Sequence, residues 1–184
     1  KEQAKAVAKK LKHLKFAAIL SSDLNRTRET AEIIAKEKGL RVESNNTIRE
    51  RSIYLYLNSK NELKKSGLDN LNQEMLTELA KLDEKSKMKY KHSETMESAE
   101  EGALRLLKYI MVAEKKYHGK TILLVSHGNI MRCLLTYLGW TKFNELPTGS
   151  IENTGYFVLE SDRNIFEVIE TWGIHKQSDE LRPF

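Results

Sequence analysis

Between Thr121 and Gly139 the apolar positions change their period within three residues. The run up to Val125 is rich in leucine and β-branched residues, as a buried strand is. From Asn129 onward Ile130, Met131, Leu134, Leu135 and Leu138 fall at helical spacing. Between the two stand Ser126, His127 and Gly128: an imidazole at the carboxyl end of a strand, a glycine free to take unusual backbone angles, then the amide-rich start of a helix. Ligands of open α/β sheets bind at the carboxyl ends of strands, and helix starts favour anions, so this junction suits a phosphate. A histidine here can equally be structural, bonded to nearby backbone.

The rest of the chain alternates in the same way. Residues 1–14 carry Ala4, Val7, Ala8, Leu11 and Leu14 on one face of an amphipathic helix, and Phe16 to Leu20 read as a short strand. A helix follows, with Leu24, Thr27, Ala31, Ile34 and Ala35 on its face, Gly39 as its stop, and Ser21, Ser22 or Asp23 as its cap. Leu40 to Glu43 form a third strand. Residues 52–93 make a lysine-rich helical excursion with an apolar stripe of Leu71, Met75, Leu76, Leu79 and Leu82, expected to lie over one edge of the sheet. The longest helix is expected from Glu94 to Tyr117. Runs at Tyr156 to Glu160 and Ile165 to Glu170 predict an antiparallel hairpin, and Gly173 to Phe184 a tail with little to bury.

Composition narrows the class. The 184 residues, 40% hydrophobic and 31% charged, suit one domain with a core, and no linker, repeat or low-complexity tract divides them. No apolar run approaches the roughly twenty residues needed to cross a bilayer, so a soluble, cytoplasmic protein with no membrane partner is expected. The net charge of +5 is spread over lysines interleaved with glutamates and lacks an aromatic platform, which argues against nucleic acid. The single cysteine, Cys133, lies on the apolar side of the helix after His127 and reads as core, not nucleophile.

Two further places carry candidate chemistry. Arg26 and Arg28 stand in the first turns of a helix, where the dipole disfavours cations unless an anion is bound, and a guanidinium can hold two phosphate oxygens in a fork. The alternative is a pair of solvated arginines balanced by Glu29 and Glu32. Glu50, between Arg49 and Arg51, fits either a surface ion pair or a carboxyl that gives a proton to a leaving oxygen.

With these segments in view the chain resembles the histidine phosphatase superfamily, the phosphoglycerate mutase-like fold. Four segments agree in order: SSDLNRTRETA; TIRER; ETMES leading to Arg105, with Glu97, Ser98 and Arg105 at the family spacing; and LLVSHGNIMRCLL. IENTGYFVL resembles the late strand that follows. The resemblance implies a three-layer α/β/α sandwich with a mostly parallel sheet and a helical insertion at about 52–93. It also implies metal-independent phosphoryl transfer through a phosphohistidine, with no cofactor and a small phosphorylated metabolite as partner. By position Arg26 would grip the phosphoryl oxygens, Glu50 would be general acid and then base, and His127 would stabilise the equatorial charge. Ser22, Gly128 and Asn129 complete the expected substrate-binding set beside Arg26.

The chain departs from the family pattern at its most important point. No Arg-His-Gly occurs, and His13, His92, His118 and His175 do not stand in a strand-then-glycine setting that could replace it. The expectation is a fragment whose nucleophilic histidine and first strand lie outside these residues, inactive as it stands; a non-catalytic phosphate-binding relative is the alternative. The glycine before Glu97 is replaced by Met96, and SIYLYLNSKNEL stands where a glycine and an acidic residue follow the catalytic glutamate. The resemblance therefore implies no particular substrate. Hydrolysis is favoured over mutase action because no paired arginines follow the acid.

Overall fold

The computed structural model describes residues 1–52, 73–162 and 165–177. Its elements are α1 (Glu2–Lys10), β1 (Ala18–Ser22), α2 (Asn25–Lys38), β2 (Val42–Asn45), α3 (Glu84–Lys89), α4 (Ala99–Lys116), β3 (Ile122–Val125), α5 (Gly128–Tyr137), β4 (Ile151–Asp162) and β5 (Ile165–Ile174). Short 3₁₀ turns stand at Leu11–His13, Asn46–Ile48 and Phe143–Glu145, and residues 73–79 are helical.

The strands β2, β1 and β3 form a parallel sheet in that order, with Ile19 opposite both Val42 and Leu123. The central strand β1 is buried along its whole length, which its sequence AILSS permits because its two polar side chains come last. Alternate residues point to opposite faces. Ile19 packs with Val7, Ala8 and Leu11 of the α1 region and Ala31, Ile34 and Ala35 of α2. Ala18 and Leu20 face Ala113 of α4, and Leu124 joins Ile48, Leu106, Ile130 and Leu134 on that side. Helices α1 and α2 thus cover one face and α4 and α5 the other, the three layers expected.

The β4–β5 hairpin is antiparallel and longer than its alternating runs suggested. It extends into the expected tail, because Gly155 and Gly173 let the two backbones approach; a Cβ on Gly155 would lie 2.7 Å from the Gly173 carbonyl oxygen. Beyond β5, His175 is not idle: its amide donates to the Ser150 carbonyl at 2.8 Å, and its Nε2 lies 2.7 Å from Glu152 Oε1. Tyr156 packs with the α1–α2 cluster and Phe157 with the α4–α5 cluster, so β4 runs in the same middle layer as the parallel sheet. Even so, among the described residues β3 pairs only with β1, and β4 only with β5.

Three expectations need correction. Leu24, not Ser21, Ser22 or Asp23, occupies the cap position of α2 and makes no side-chain cap; Ser21 and Ser22 belong to the buried strand, and Ser22 Oγ accepts only weakly from the Leu24 amide at 3.4 Å. The long helix starts at Ala99 and not Glu94, because Ser98 and Glu101 form a reciprocal capping box there. The described part of the helical excursion does not lie over a sheet edge. Leu79 and Met88 pack against Ala99, Ala103, Cys133 and Phe143, on the α4–α5 layer. The remainder of that excursion, 53–72, lies outside the described residues.

Leu134 has no exposed surface and joins α5 to α4. Leu134→Ala is expected to lower unfolding free energy by about 3 kcal/mol, measured by urea denaturation.

Candidate active site

Because β1 and β3 are parallel neighbours, with Ser21 opposite Val125, their carboxyl ends finish side by side. The residues that follow each strand, and the helix starts after them, share one end of the sheet. Arg26 is the second residue of α2, and His127 is the cap residue of α5.

The side chains meet. Arg26 Nε donates to His127 Nδ1 at 3.1 Å, and the other ring nitrogen, Nε2, lies 2.9 Å from Ser22 Oγ. A guanidinium cannot accept, so Nδ1 is the unprotonated nitrogen and the ring proton sits on Nε2, donating to Ser22. The ring is 5% exposed. Burial, and then the charges of Arg26 and Arg105, push its pKa from 6.5 down to about 4, with Asp23 partly opposing them. The imidazole is therefore neutral at pH 7, kept so by burial and by the two cations near it.

Glu50 arrives from the other side of the same helix start. Its Oε1 accepts from the amides of Arg51 at 2.9 Å and Ile130 at 2.8 Å, and its Oε2 accepts from the Asn129 amide at 3.3 Å. His127 offers α5 no side-chain cap, and the Glu50 carboxylate takes up that task, as a carboxylate at a helix N-terminus does well. Arg49, one of the two arginines that flank Glu50, forks instead onto Asp23 at 2.7 and 2.6 Å, and this bond holds the Asp23 carboxyl below its usual range.

Of the seven positions singled out from sequence, Arg26, Ser22 and His127 touch directly, and Glu50, Gly128 and Asn129 gather at the α5 start. Asn129 takes part through its amide, its side-chain oxygen lying toward Cys133 Sγ at 3.9 Å. Gly128 does not need the unusual backbone angles expected of it, being absent from the residues of positive φ; a Cβ there would meet nothing within 4 Å. Arg28 is left out of the site, paired with Glu32 at 3.5 Å on the surface. Sequence reasoning gave no role to Arg105 and Glu97, which form a two-bond ion pair at 2.6 and 2.8 Å beside the Glu50 turn. Their spacing was visible, but the backbone carbonyls that Arg105 also bonds are 55 to 58 residues away.

A family model described as the histidine phosphatase superfamily (branch 1) matches residues 1–174. The chain belongs to that superfamily. Solved structures similar to this chain include Bacillus stearothermophilus YhfR, with TM-score 0.69 and 20% identity, covering 91% of this chain and 79% of that one. A phosphoserine phosphatase mutant from Entamoeba histolytica, in complex with phosphoserine, superimposes with TM-score 0.68 and 21% identity over 92% of this chain and 80% of its own. A phosphoglycerate mutase from Bacillus anthracis gives 0.66 and 22%, over 94% and 79%. The fold is therefore shared by phosphatases and a mutase. A search of curated proteins gave no match. Among the described residues no group of three or more His, Cys, Asp or Glu side chains is arranged to hold a metal ion, and no helix is long and apolar enough to cross a membrane.

The depressed pKa of His127 links stability to pH. Between pH 6.5 and about 4 the unfolded chain takes up a proton on this residue and the folded chain does not, so stability falls as pH falls through that window, by on the order of 2 kcal/mol. NMR titration is expected to show the His127 ring unprotonated down to pH 5, and His127→Asn to flatten the melting temperature between pH 6.5 and 4.5.

Proposed function

We propose that this histidine phosphatase is a phosphomonoester hydrolase working through a phosphohistidine, on a small phosphorylated metabolite, with its nucleophilic histidine outside these 184 residues. The observation that carries the reading is the convergence of guanidinium, imidazole and carboxylate at the carboxyl ends of β1 and β3. Two cationic or cationisable groups stand ready for a dianion, and a carboxyl stands beside them for its leaving oxygen. Support for a strand-borne nucleophile comes from the sheet. Among the described residues β3 pairs only with β1 and β4 only with β5, although both strands pack between the same helix layers, which leaves room for a further parallel strand beside β3 whose carboxyl end would come next to His127.

In this reading an imidazole nitrogen attacks phosphorus as the bond from phosphorus to the ester oxygen breaks. Arg26 forks onto the equatorial oxygens through its Nη groups, His127 turns its Nε2 donor from Ser22 Oγ to the phosphoryl group, and Ser22 Oγ and the amide of Gly128 complete the cradle, the Asn129 amide staying on Glu50. Glu50 passes its proton to the departing alkoxide, then takes one from the water that attacks phosphorus as the bond to the histidine nitrogen breaks, releasing inorganic phosphate and the free imidazole. A loose phosphoryl transition state asks mainly for position and charge stabilisation, and these groups supply both. The open space at the Gly128 Cα is where a phosphoryl oxygen would approach the backbone.

The protein extended through its upstream coding sequence is expected to release phosphate from p-nitrophenyl phosphate in excess chelator. His127→Ala should lower kcat about a hundredfold or more with the fold intact by circular dichroism. A strict metal requirement, or isomerisation outrunning net phosphate release, would overturn the hydrolase reading. The 184-residue chain alone should bind inorganic phosphate, with loss of binding in Arg26→Ala and no turnover. Gly128→Ala should leave the melting temperature within about a degree while weakening that binding, measured by calorimetry.

A further inference from the structure

Glu50 stands in a segment with almost no regular structure, between the 3₁₀ turn at Asn46–Ile48 and residue 52. Such a segment needs something other than a ladder to fix it. Arg105, on α4, supplies it. Its Nε and Nη2 clasp the two Glu97 oxygens at 2.6 and 2.8 Å. Nη1 donates to the carbonyls of Thr47 and Arg49, the latter at 3.2 Å, and Nη2 to the carbonyl of Glu50 itself at 3.4 Å. These five bonds match the five N–H groups of a guanidinium. Glu97 carries the clamp further. Its Oε2 accepts from the Ser52 amide at 3.2 Å, and its carbonyl accepts from Arg51 Nε at 2.8 Å.

We infer that Arg105, seated on Glu97, is a positioning residue that fixes the Glu50 carboxyl against the start of α5. The inference rests on the proposed role of Glu50 and extends it. Arg105 differs in kind from Arg26. Its donors are spent on backbone carbonyls and one carboxylate, so it binds no substrate oxygen; Arg26 donates from Nε to an imidazole. The pair is a quarter or less exposed, and a guanidinium fork in that setting holds geometry where a lysine, a point charge, would not. The path runs from α4 to the 47–52 backbone, to the Glu50 side chain, to the amides of Asn129 and Ile130 next to His127.

Two measurements separate this inference from the reading beneath it. In the 184-residue chain, amide hydrogen exchange at Asn129 and Ile130 reports whether the Glu50 carboxyl is in place. Arg105→Gln and Arg105→Lys are expected to speed both about tenfold, as Glu50→Gln does, with the Met131 amide, bonded to the His127 carbonyl, unchanged. Unchanged exchange at the two amides in a cooperatively folded Arg105→Gln protein would overturn the inference.

In the catalytically complete protein the readout is leaving-group dependence. Nitrophenolate departs without a proton, whereas an alkoxide needs one. Arg105→Gln should therefore lower kcat for alkyl phosphates about a hundredfold and for p-nitrophenyl phosphate only slightly, with KM little changed. In a Glu50→Gln background it should add nothing. An equal loss on both esters would make Arg105 a general structural support and overturn its positioning role. If Glu50→Gln itself shows no such selectivity, the assigned proton donor is wrong, while the exchange data still decide whether Arg105 fixes that side chain.

Discussion

The hydrogen-bonded pairing of β1 with β3 is the constraint on which the site depends. Residues 105 positions apart in the chain, Ser22 and His127, touch because two parallel neighbours in register must end together. Had the strands been antiparallel, one of these residues would lie at the opposite end of the sheet. The same pairing places the starts of α2 and α5 side by side, and thereby sets Arg26 on the imidazole. Burying β1 completely makes this geometry stiff, since neither strand can slide without moving its apolar face out of the core.

Charge at the site is balanced unequally. Arg49 is answered by Asp23 and Arg105 by Glu97, both through forks. Arg26 is answered by an imidazole, a neutral partner that keeps its proton on the far nitrogen. That arrangement makes the Arg26–His127 contact the electropositive part of the cluster, and it adds to burial, the larger cause, in pushing the His127 pKa down. An arriving dianion would relieve the same repulsion.

Much of this was legible in the sequence because it is local. The change of period at Ser126-His127-Gly128 located a strand end and a helix start, and the misplaced cation at Arg26 signalled an unusual helix N-terminus. The same logic failed to separate Arg26 from Arg28, since both stand in the same first turns and only the fold decides which meets His127. The carboxyl of Glu50 could not be assigned from its neighbours: Arg49 and Arg51 suggested ion pairs, whereas its donors are the Arg51 backbone amide and two amides 79 and 80 residues further on. Ser22 was misread as a cap for a related reason. Its hydroxyl is committed to a histidine that propensity cannot see, so α2 begins without side-chain help. The hairpin ran past its alternating pattern because Gly155 and Gly173, which read as breaks, are where the strands come closest.

Among the described residues the outer edges of β3 and β4 have no strand partner, and this carries a last consequence. Although β3 is surrounded by helices, all four of its residues keep partial exposure, in contrast to the fully buried strand next to it. Rows of backbone amides and carbonyls left without a ladder recruit whatever extended polypeptide is at hand. In concentrated solution the readiest source is another copy of the same molecule, so colloidal behaviour would follow from those rows more than from the surplus of lysine on the surface.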